Sequence, residues 1–445
     1  MGLTNALTGE SSAVRHARLA ALLVGSIGIT GTRSLGATET AAALAPPTAV
    51  GTAPLDDALD PRRFEFAGFP IVGGNSDTGV QLGGATTFTR FHDDVRPYLW
   101  NIDLLLSVSF KGDQGHLALI QQNHLLRLDA PSLVGGKLRI DSKLSFQRTI
   151  NAGYYGIGNA TVASLPVGQT DPAHRYQYID EEARSRTIAR IHTGTPVDIA
   201  LGALVRYSAP TAYAGSKLEQ DTALTAGGRA VRGIEPSLLG TLAGGLMYDT
   251  RDSEFVTSRG LFYQLGVAAT VGSAESVRYG EASAVLAHYV PISAPFILAA
   301  RAVASFKFGN VPYYELAQGG VFESQYMFGG ESGVRGVPNG RYSGSIKTLA
   351  NFEVRSTLPR FVFLQQRIRF GTTTFVDVGR AWSDYSLHAA ADGKGVGLKY
   401  GIGAGAFIQW GEAAIFRVEA AYSPDAATEN PGFPVGIYVA DGLMF

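Results

Sequence analysis

The sequence of 445 residues contains no cysteine, and this absence removes several kinds of chemistry at once. Cysteine-based zinc sites, iron–sulfur clusters, thiol nucleophiles and disulfides are excluded, and cysteine-free chains are common among proteins that cross an oxidising compartment. Charge is also scarce, because only 17% of the residues are charged and the formal net charge is −1. That balance is not typical of nucleic-acid-binding proteins, so no nucleic-acid partner is expected.

Long apolar runs are missing as well, apart from a short one near the N-terminus. The 14 residues between Arg18 and Arg33 are uncharged, which is fewer than the roughly 20 that a membrane-spanning helix requires. With arginines before it and small residues after it, the run predicts a secretory signal peptide over residues 1–40. The alternative is an amphipathic surface helix. Residues 41–62 hold four prolines and predict a linker.

Apolar and polar residues alternate along most of the chain from residue 63 onward. In the segment 100–110 every second residue is apolar, while Asn101, Asp103 and Ser107 lie between the apolar positions. Strict alternation over about ten residues predicts a β-strand. Sixteen strands are predicted, at 63–72, 77–91, 97–110, 115–128, 136–148, 174–192, 196–208, 237–250, 260–272, 276–290, 295–308, 344–358, 366–382, 398–410, 413–423 and 435–445.

The scarcity of charge indicates which all-β fold these strands form. A soluble sandwich surrounds itself with charge, whereas a barrel in lipid keeps its charges inside. Backbone groups in hydrocarbon must be paired within the protein, so the strands should close into a ring. We therefore predict a sixteen-stranded antiparallel transmembrane β-barrel over residues 63–445, located in the bacterial outer membrane, with long outer loops and short inner turns.

One arginine and two acids recur at the start of the last third of the chain. Arg335 and Gly336 lie in the Gly-rich segment 329–338, and the following strands each carry an isolated acid, Glu353 and Asp377. The neighbours of both acids are apolar, so strand alternation puts the two acids on the face opposite to lipid. A charge facing hydrocarbon would cost about 2–4 kcal/mol at mid-depth.

A second motif lies at a predicted inner turn. The segment 248–252 reads Tyr-Asp-Thr-Arg-Asp and is followed by Arg-Gly at 259–260. Asp249 and Asp252 can cap backbone N–H groups there, and Arg251 can pair across the turn. The expected role is structural.

Together with the segment 154–159 in an early outer loop, these motifs resemble the BamA/TamA-type outer-membrane assembly superfamily, also called the bacterial surface antigen family. The resemblance implies an extracellular loop folded into the lumen and held by a latch formed by Arg335, Gly336, Glu353 and Asp377. It further implies a monomeric barrel in outer-membrane lipid that inserts or translocates unfolded or partly folded protein clients, or lipid. Too few residues precede the first strand for POTRA domains, so a member lacking them is expected.

The two ends of the predicted barrel suggest a weak seam. Pro70 in the first strand cannot donate a ladder hydrogen bond, and Gly436 and Gly442 give the last strand little side-chain packing. The terminal aromatic, Phe445, resembles the signal by which barrels are recognised for insertion. A weak seam suits a lateral gate, and an ordinary strand irregularity is the alternative.

Two other functions stay open at this point. A passive or selective pore would use the lumenal charges Lys137, Arg139, Lys143, Arg367 and Arg369 to set ion preference. A barrel-embedded lipase is third, although the sequence has no Gly-x-Ser-x-Gly motif and no histidine pair at metal-ligand spacing. We accordingly predict no catalytic residues, no metal and no cofactor.

Overall fold

The computed structural model describes residues 60–445, except 76–78, 114, 162–173, 224–230, 275–276, 364–365, 388, 412–413 and 429–433. The predicted signal peptide over 1–40 lies outside the described residues, as does the predicted linker up to residue 59.

The alternating segments form one large antiparallel sheet, and the long strands match the predicted strands closely. In the described part the sheet has eighteen strands, because two short ones, β8 and β16, join the long ones. Its members are β1 (Phe64–Asn75), β2 (Gly79–His92), β3 (Val95–Asp113), β4 (His116–Leu133), β5 (Leu138–Gly153), β6 (Gln177–His192), β7 (Val197–Ser208), β8 (Thr211–Ala212), β9 (Ser237–Asp249), β10 (Gly260–Gly272), β11 (Arg278–Ser293), β12 (Phe296–Asn310), β15 (Ile346–Thr357), β16 (Phe361–Phe363), β17 (Gln366–Trp382), β18 (Lys399–Trp410), β19 (Ala414–Tyr422) and β20 (Val435–Asp441). A separate pair consists of β13 (Gln318–Gly319) and β14 (Gln325–Tyr326).

Helices in the described part of the chain are few and short. They are α1 (Lys217–Ala223), α2 (Tyr313–Leu316) and α3 (Ala389–Asp392), with a 3₁₀ turn at Pro424–Thr428. None of the helices in the described ranges is long and apolar enough to cross a membrane.

Each long strand pairs with the next long strand along the chain, from β1 with β2 to β19 with β20. Among the described residues, no ladder joins β1 to β20. The first strand nevertheless lies near the last ones, because the ring centroid of Phe69 on β1 is 3.6 Å from that of Phe416 on β19. The sheet therefore curves until its two edges approach each other without pairing.

The two faces of the sheet have opposite chemistry. On β15, Glu353 and Arg355 are each 1% exposed, whereas the alternating Phe352 and Val354 are 49% and 39% exposed. We call the face that carries the buried charges the inner face and the other the outer face. A soluble protein buries its apolar residues instead, so this arrangement is that of a sheet whose outer face meets an apolar medium.

Candidate functional site

The segment 311–345 between β12 and β15, here called the inner loop, lies against the inner face. Its apolar side chains Phe328, Val334 and Val337 form a buried cluster with Leu349 of β15 and Ala381 of β17. Val337 occupies the position after Arg-Gly where the resembled family usually has an aromatic residue, and it is fully packed in this cluster. Burial of these apolar side chains stabilises the inner loop in its position against the inner face.

Arg335 lies at the end of this cluster and contacts both predicted acids. Its Nε and Nη2 atoms donate to Asp377 Oδ2 and Oδ1 at 2.8 and 2.9 Å, and its main-chain N–H donates to Oδ2 at 3.1 Å. Nη2 also lies 2.8 Å from Glu353 Oε1. The two parallel contacts to Asp377 are the bidentate geometry that makes arginine–carboxylate pairs strong and specific.

A third acid, which the sequence reasoning missed, completes the contacts of Arg335. Glu419 of β19 accepts from Arg335 Nη1 at 2.9 Å. Strand alternation already indicates that Glu419 faces inward, because Val418 and Ala420 beside it are exposed. Glu419 and Arg335 are 84 positions apart in the chain, and nothing in a single sequence indicates that two residues so far apart form a pair.

Two further arginines balance the charge of the three acids. Arg355 Nε donates to Glu353 Oε2 at 2.8 Å, and Arg417 Nε lies 3.8 Å from Glu419 Oε2. Three guanidinium groups therefore lie close to three carboxylates, and a fourth, that of Arg301, donates to Asn351 Oδ1 at 3.0 Å. Buried ions are tolerated when they are paired and hydrogen-bonded, so these contacts explain how so many charges share one buried site.

Three uncharged residues, Phe375, Tyr438 and Asn351, also contact Arg335 or the residues next to it. The Arg335 guanidinium carbon lies 3.3 Å from the centroid of the Phe375 ring, a cation–π contact. The Gly336 N–H donates to the Tyr438 hydroxyl of β20 at 2.7 Å. Asn351 donates from Nδ2 to Asp377 Oδ1 at 2.9 Å and to the Gly333 carbonyl oxygen at 3.2 Å. The tip of the inner loop is thus tied to β15, β17, β19 and β20.

The start of the inner loop has a second charged anchor. Glu315 of α2 accepts from Lys307 of β12 at 2.6 Å and from Arg206 of β7. Arg206 also contacts Glu182 of β6 at 2.6 Å, and Lys307 contacts Glu281 of β11 at 3.2 Å. The inner loop therefore spans the inner face, with Glu315 bound on one part of the sheet and Arg335 on another. The sequence motifs gave no sign of Glu315.

The turn at 250–259, between β9 and β10, folds around the predicted motif. Arg251 donates from Nε and Nη2 to Asp249 at 3.0 and 2.8 Å. Asp252 accepts from the N–H groups of Ser258 and Arg259 at 2.9 and 3.2 Å. Burial would raise the pKa of Asp252, but the hydrogen bonds from Ser258 and Arg259 lower it.

The same turn reaches strands far from its own. Val256 is buried with Phe407 of β18 and Ile415 of β19, while Phe255 packs against Tyr98 of β3 at a ring distance of 6.0 Å. Its Glu254 lies 2.7 Å from Arg139 of β5. Burial alone would raise the pKa of Glu254, but the Arg139 charge lowers it to about 2. The 250–259 turn therefore lies across the inner face at the end of the sheet where short turns join the strands, here called the short-turn end.

The residues predicted for the seam separate into two groups. Pro70 lies on β1 and Gly436 on β20, the two edge strands of the sheet, which pair with β2 and β19 but not with each other in the described part. The last strand was predicted to run to Phe445, and this is wrong because β20 ends at Asp441. Gly442 has a φ of 72°, which glycine adopts at no steric cost, and the chain turns there toward the inner face.

Phe445 consequently lies away from the seam. Its ring centroid is 4.7 Å from the guanidinium carbon of Arg355 and 5.1 Å from that of Arg301. Its main-chain oxygen accepts from Arg355 Nη2 at 2.9 Å. Cation–π contacts with two buried arginines and this hydrogen bond therefore hold Phe445 at the inner face.

The five basic residues predicted to line a pore lie in different environments. Lys137 is exposed in the turn before β5, so its placement in the lumen is wrong. Arg139 is bound by Asp129 at 2.6 Å, and Lys143 lies 2.5 Å from Glu323 of the inner loop. Arg367 lies 4.0 Å from Glu65, and Arg369 is half-buried on the same strand, β17.

Comparison with known proteins gives one family match and several similar folds. Residues 121–432 match the Omp85 superfamily domain. BamA from Haemophilus ducreyi lacking POTRA domains 1–3 aligns at 13% identity with a TM-score of 0.48, over 85% of this chain and 69% of that one. CdiB from Escherichia coli aligns at 14% identity and 0.47, over 85% and 62%. CdiB from Acinetobacter baumannii aligns at 11% and 0.41, over 81% and 62%. A search of curated protein sequences gives no match.

Proposed function

The chain belongs to the Omp85 superfamily, and from this premise we propose that it inserts or translocates protein clients at the bacterial outer membrane. The proposed architecture is a barrel of sixteen membrane-spanning strands whose two edges, β1 and β20, approach each other at the seam, with β8 and β16 as short additions at its two ends. The barrel would act as a monomer in outer-membrane lipid. No enzymatic step is part of the proposal.

The observation that carries the proposal is the missing ladder between β1 and β20 in the described part of the chain. An unpaired strand edge in hydrocarbon leaves N–H and C=O groups unsatisfied, at a cost of several kcal/mol for each group. The last strand has seven residues and the first has twelve, so they cannot pair over their full lengths. A seam of this kind lowers the barrier for a client strand to enter the bilayer.

The inner loop has a supporting role in this proposal. Arg335, Gly336, Glu353 and Asp377 act as a latch that keeps the loop inside the barrel. Because Gly336 donates to Tyr438 of β20, the latch also reaches one edge of the seam. Movement of the last strand and movement of the loop tip are therefore coupled through one hydrogen bond.

The pore alternative is less well supported. The inner loop crosses the inner face, and the 250–259 turn lies across its short-turn end, so two segments occupy the path that an ion would follow. Of the cations expected to select ions, Arg139, Lys143 and Arg367 lie near acids and Lys137 lies in a turn. A large steady conductance in planar bilayers, unchanged by Arg335→Ala, would favour the pore over the proposed function.

The test is to lock the seam. Ile71 of β1 and Ala440 of β20 line the same cavity, and since the chain has no cysteine, Ile71→Cys with Ala440→Cys gives a unique pair for a cleavable bis-maleimide linker. Insertion of an unfolded β-barrel client into proteoliposomes is followed by protease protection. We expect locking to abolish insertion and cleavage of the linker to restore it.

A matched pair controls for the chemistry of crosslinking. Thr241 and Thr270 are directly opposite in the register of β9 and β10, and their hydroxyl oxygens are 2.8 Å apart. Crosslinking Thr241→Cys with Thr270→Cys joins strands that are already paired, so insertion should be unchanged. Full insertion by the protein with the locked seam would contradict the gate.

A further inference from the structure

The inner face holds a cavity beside the Arg335 site, and Gly336 and Tyr438 of that site line one part of it. It has a volume of about 390 Å³ and lies between β2–β5, β20 and the loop tip at 330–339. That volume falls within the roughly 300–1,000 Å³ of small-ligand sites. None of the acids that bind Arg335 lines it.

The wall of this cavity on β3, β4 and β5 carries amide and hydroxyl side chains in ordered rows, whereas β20 contributes apolar side chains such as Ile437 and Val439. Ser107, Asn123 and Gln147 are directly opposite one another on β3, β4 and β5. Gln121 and Thr149 form the next row. Neighbouring rows lie about 7 Å apart, which is the distance between residues i and i+2 of any extended chain, and neighbouring strands are about 4.8 Å apart.

The lining of the cavity is largely uncharged, although charged residues lie near it on the inner face. Among the described residues that line it, only Glu331 carries a charge. The two rows end on β6, where Gln147 is opposite Glu182 and Thr149 is opposite Asp180. Recognition of a phosphate group needs arginine, lysine or a cluster of N–H donors, and a charged side chain buried here would lose its hydration without gaining a partner. The wall therefore disfavours lipid phosphates and ionised side chains.

The cavity also reaches the seam. Ile71 of β1 and Tyr438 of β20 line it, and these two strands are not joined by a ladder in the described part. An extended polypeptide can pair its main chain with such an edge. A saccharide cannot form a strand ladder, so the edge favours a peptide over a sugar.

We propose that this cavity binds an extended, uncharged segment of the client polypeptide, rich in Ser, Thr, Asn, Gln and Gly. Side-chain amides carry both donors and acceptors, so the row that contains Asn123 and Gln147 accepts such residues in either orientation. The inference rests on the proposed function and names the client segment that the seam would receive.

The experiment measures peptide binding to the purified full chain in neutral detergent micelles. Dye-labelled 12-residue peptides of Thr, Asn, Ser and Gln are compared with matched peptides carrying two central Lys or two central Asp residues, by fluorescence anisotropy. We expect the neutral peptide to bind at least about tenfold more tightly than either charged peptide, which corresponds to about 1.4 kcal/mol.

Two variants connect the binding to the wall. Asn123→Leu with Gln147→Leu removes the amides and should weaken binding of the neutral peptide by about tenfold or more, that is by about 1.4 kcal/mol. Asn123→Asp keeps the side-chain size, so it tests the wall even if the leucine variant does not fold, and it should shift preference toward the Lys peptide. Ser142→Ala with Thr187→Val alters an exposed pair on β5 and β6, with oxygens 2.9 Å apart, and should change nothing.

Equal binding of neutral and charged peptides would overturn the inference, as would Asn123→Asp leaving the preference unchanged. Competition by dihexanoyl phosphatidylglycerol or by a neutral dextran oligosaccharide, at concentrations where the charged peptides do not compete, would assign the cavity to lipid or sugar instead. Binding in micelles requires no insertion. Failure of the seam-locking test with selective binding intact would therefore reject the insertase function and leave the neutral-peptide site standing.

Discussion

A Cβ atom on Gly401 would lie 1.8 Å from the main-chain carbonyl oxygen of Arg335. Gly401 is opposite Asp377 in the sheet register, and Asp377 is opposite Asn351. Asn351, Asp377 and Gly401 therefore form one row across β15, β17 and β18. Asp377 binds the Arg335 side chain, and the missing side chain of Gly401 leaves space for the Arg335 main chain. The side chain and the main chain of Arg335 are held by the same row.

Replacing Gly401 with alanine should displace the loop tip. The added methyl group cannot fit without a shift of the Arg335 main chain, and overpacking of this kind costs about 1–3 kcal/mol. We expect the free energy of unfolding in detergent to fall by that amount. Hydrogen exchange at 333–337 should also become faster.

Gly240 of β9 provides the matched control. A Cβ atom there would meet nothing within 4 Å, so Gly240→Ala tests the effect of a strand glycine without the contact. Its stability should stay within about 0.5 kcal/mol of the wild type. Equal effects of the two substitutions would mean that the approach of Arg335 to Gly401 is unimportant.

Removing the Arg335 side chain should destabilise the inner loop more strongly. Arg335→Ala leaves Asp377, Glu353 and Glu419 without their shared cation, and loss of one partner from a buried ion pair costs about 3–5 kcal/mol. Arg335→Lys should recover only part of this, because one ammonium group cannot form the bidentate contact. The measurement is urea unfolding of the folded protein in micelles.

Arg380 is a suitable control arginine for this series. In the loop between β17 and β18, it donates to the main-chain carbonyl oxygens of Gly395, Val396 and Asp392. Arg380→Ala should cost less than Arg335→Ala. An equal loss in both would show that the three acids are solvated well enough to need no partner.

Sequence patterns predicted most of the strands and the inward direction of Glu353 and Asp377. Both follow from the alternation of apolar and polar residues, which can be seen in any short stretch of sequence because successive side chains of a strand face opposite sides of the sheet. They did not reveal Glu419 or Glu315 as partners of the inner loop. Those contacts join residues that are distant in sequence and depend on where the loop lies on the curved sheet. Phe445 was misplaced for a similar reason, because its alternation extends the strand while Arg301 and Arg355, distant in sequence, draw it to the inner face.

Release of the inner loop should require loss of both of its anchors. Glu315→Ala removes the acid between Arg206 and Lys307, and Arg335→Ala removes the cation among three acids. Each single variant keeps one end of the loop bound, so we expect brief, unstable conductance in planar bilayers. The double variant should show a steady conductance larger than the sum of the two single variants.

Glu331→Ala controls for changes in the loop. The contact of Glu331 with Arg417 uses its main-chain carbonyl oxygen, 2.9 Å from Arg417 Nη2, and this atom survives the substitution. Conductance should match that of the wild type. A double variant that conducts no more than either single variant would mean that the inner loop stays in place without its charged anchors.

The 250–259 turn should loosen at acidic pH because of Glu254. Its pKa in the folded protein is about 2, below the ordinary value of 4.5, so the contact with Arg139 stabilises the turn above about pH 4.5 and is lost as the pH falls toward 2. The Glu254 side chain is 32% exposed, so the stabilisation is small, about 0–1 kcal/mol. A spin label on Arg259→Cys, at an exposed position of the turn, should gain mobility over that range. In a Glu254→Gln background the label should already be mobile at neutral pH. The remaining change between about pH 4.5 and 2 should be smaller than in the wild type and come from Asp252, whose hydrogen bonds from Ser258 and Arg259 weaken as it is protonated. If label mobility in the wild-type background is constant over that interval, the Glu254–Arg139 contact does not hold the turn.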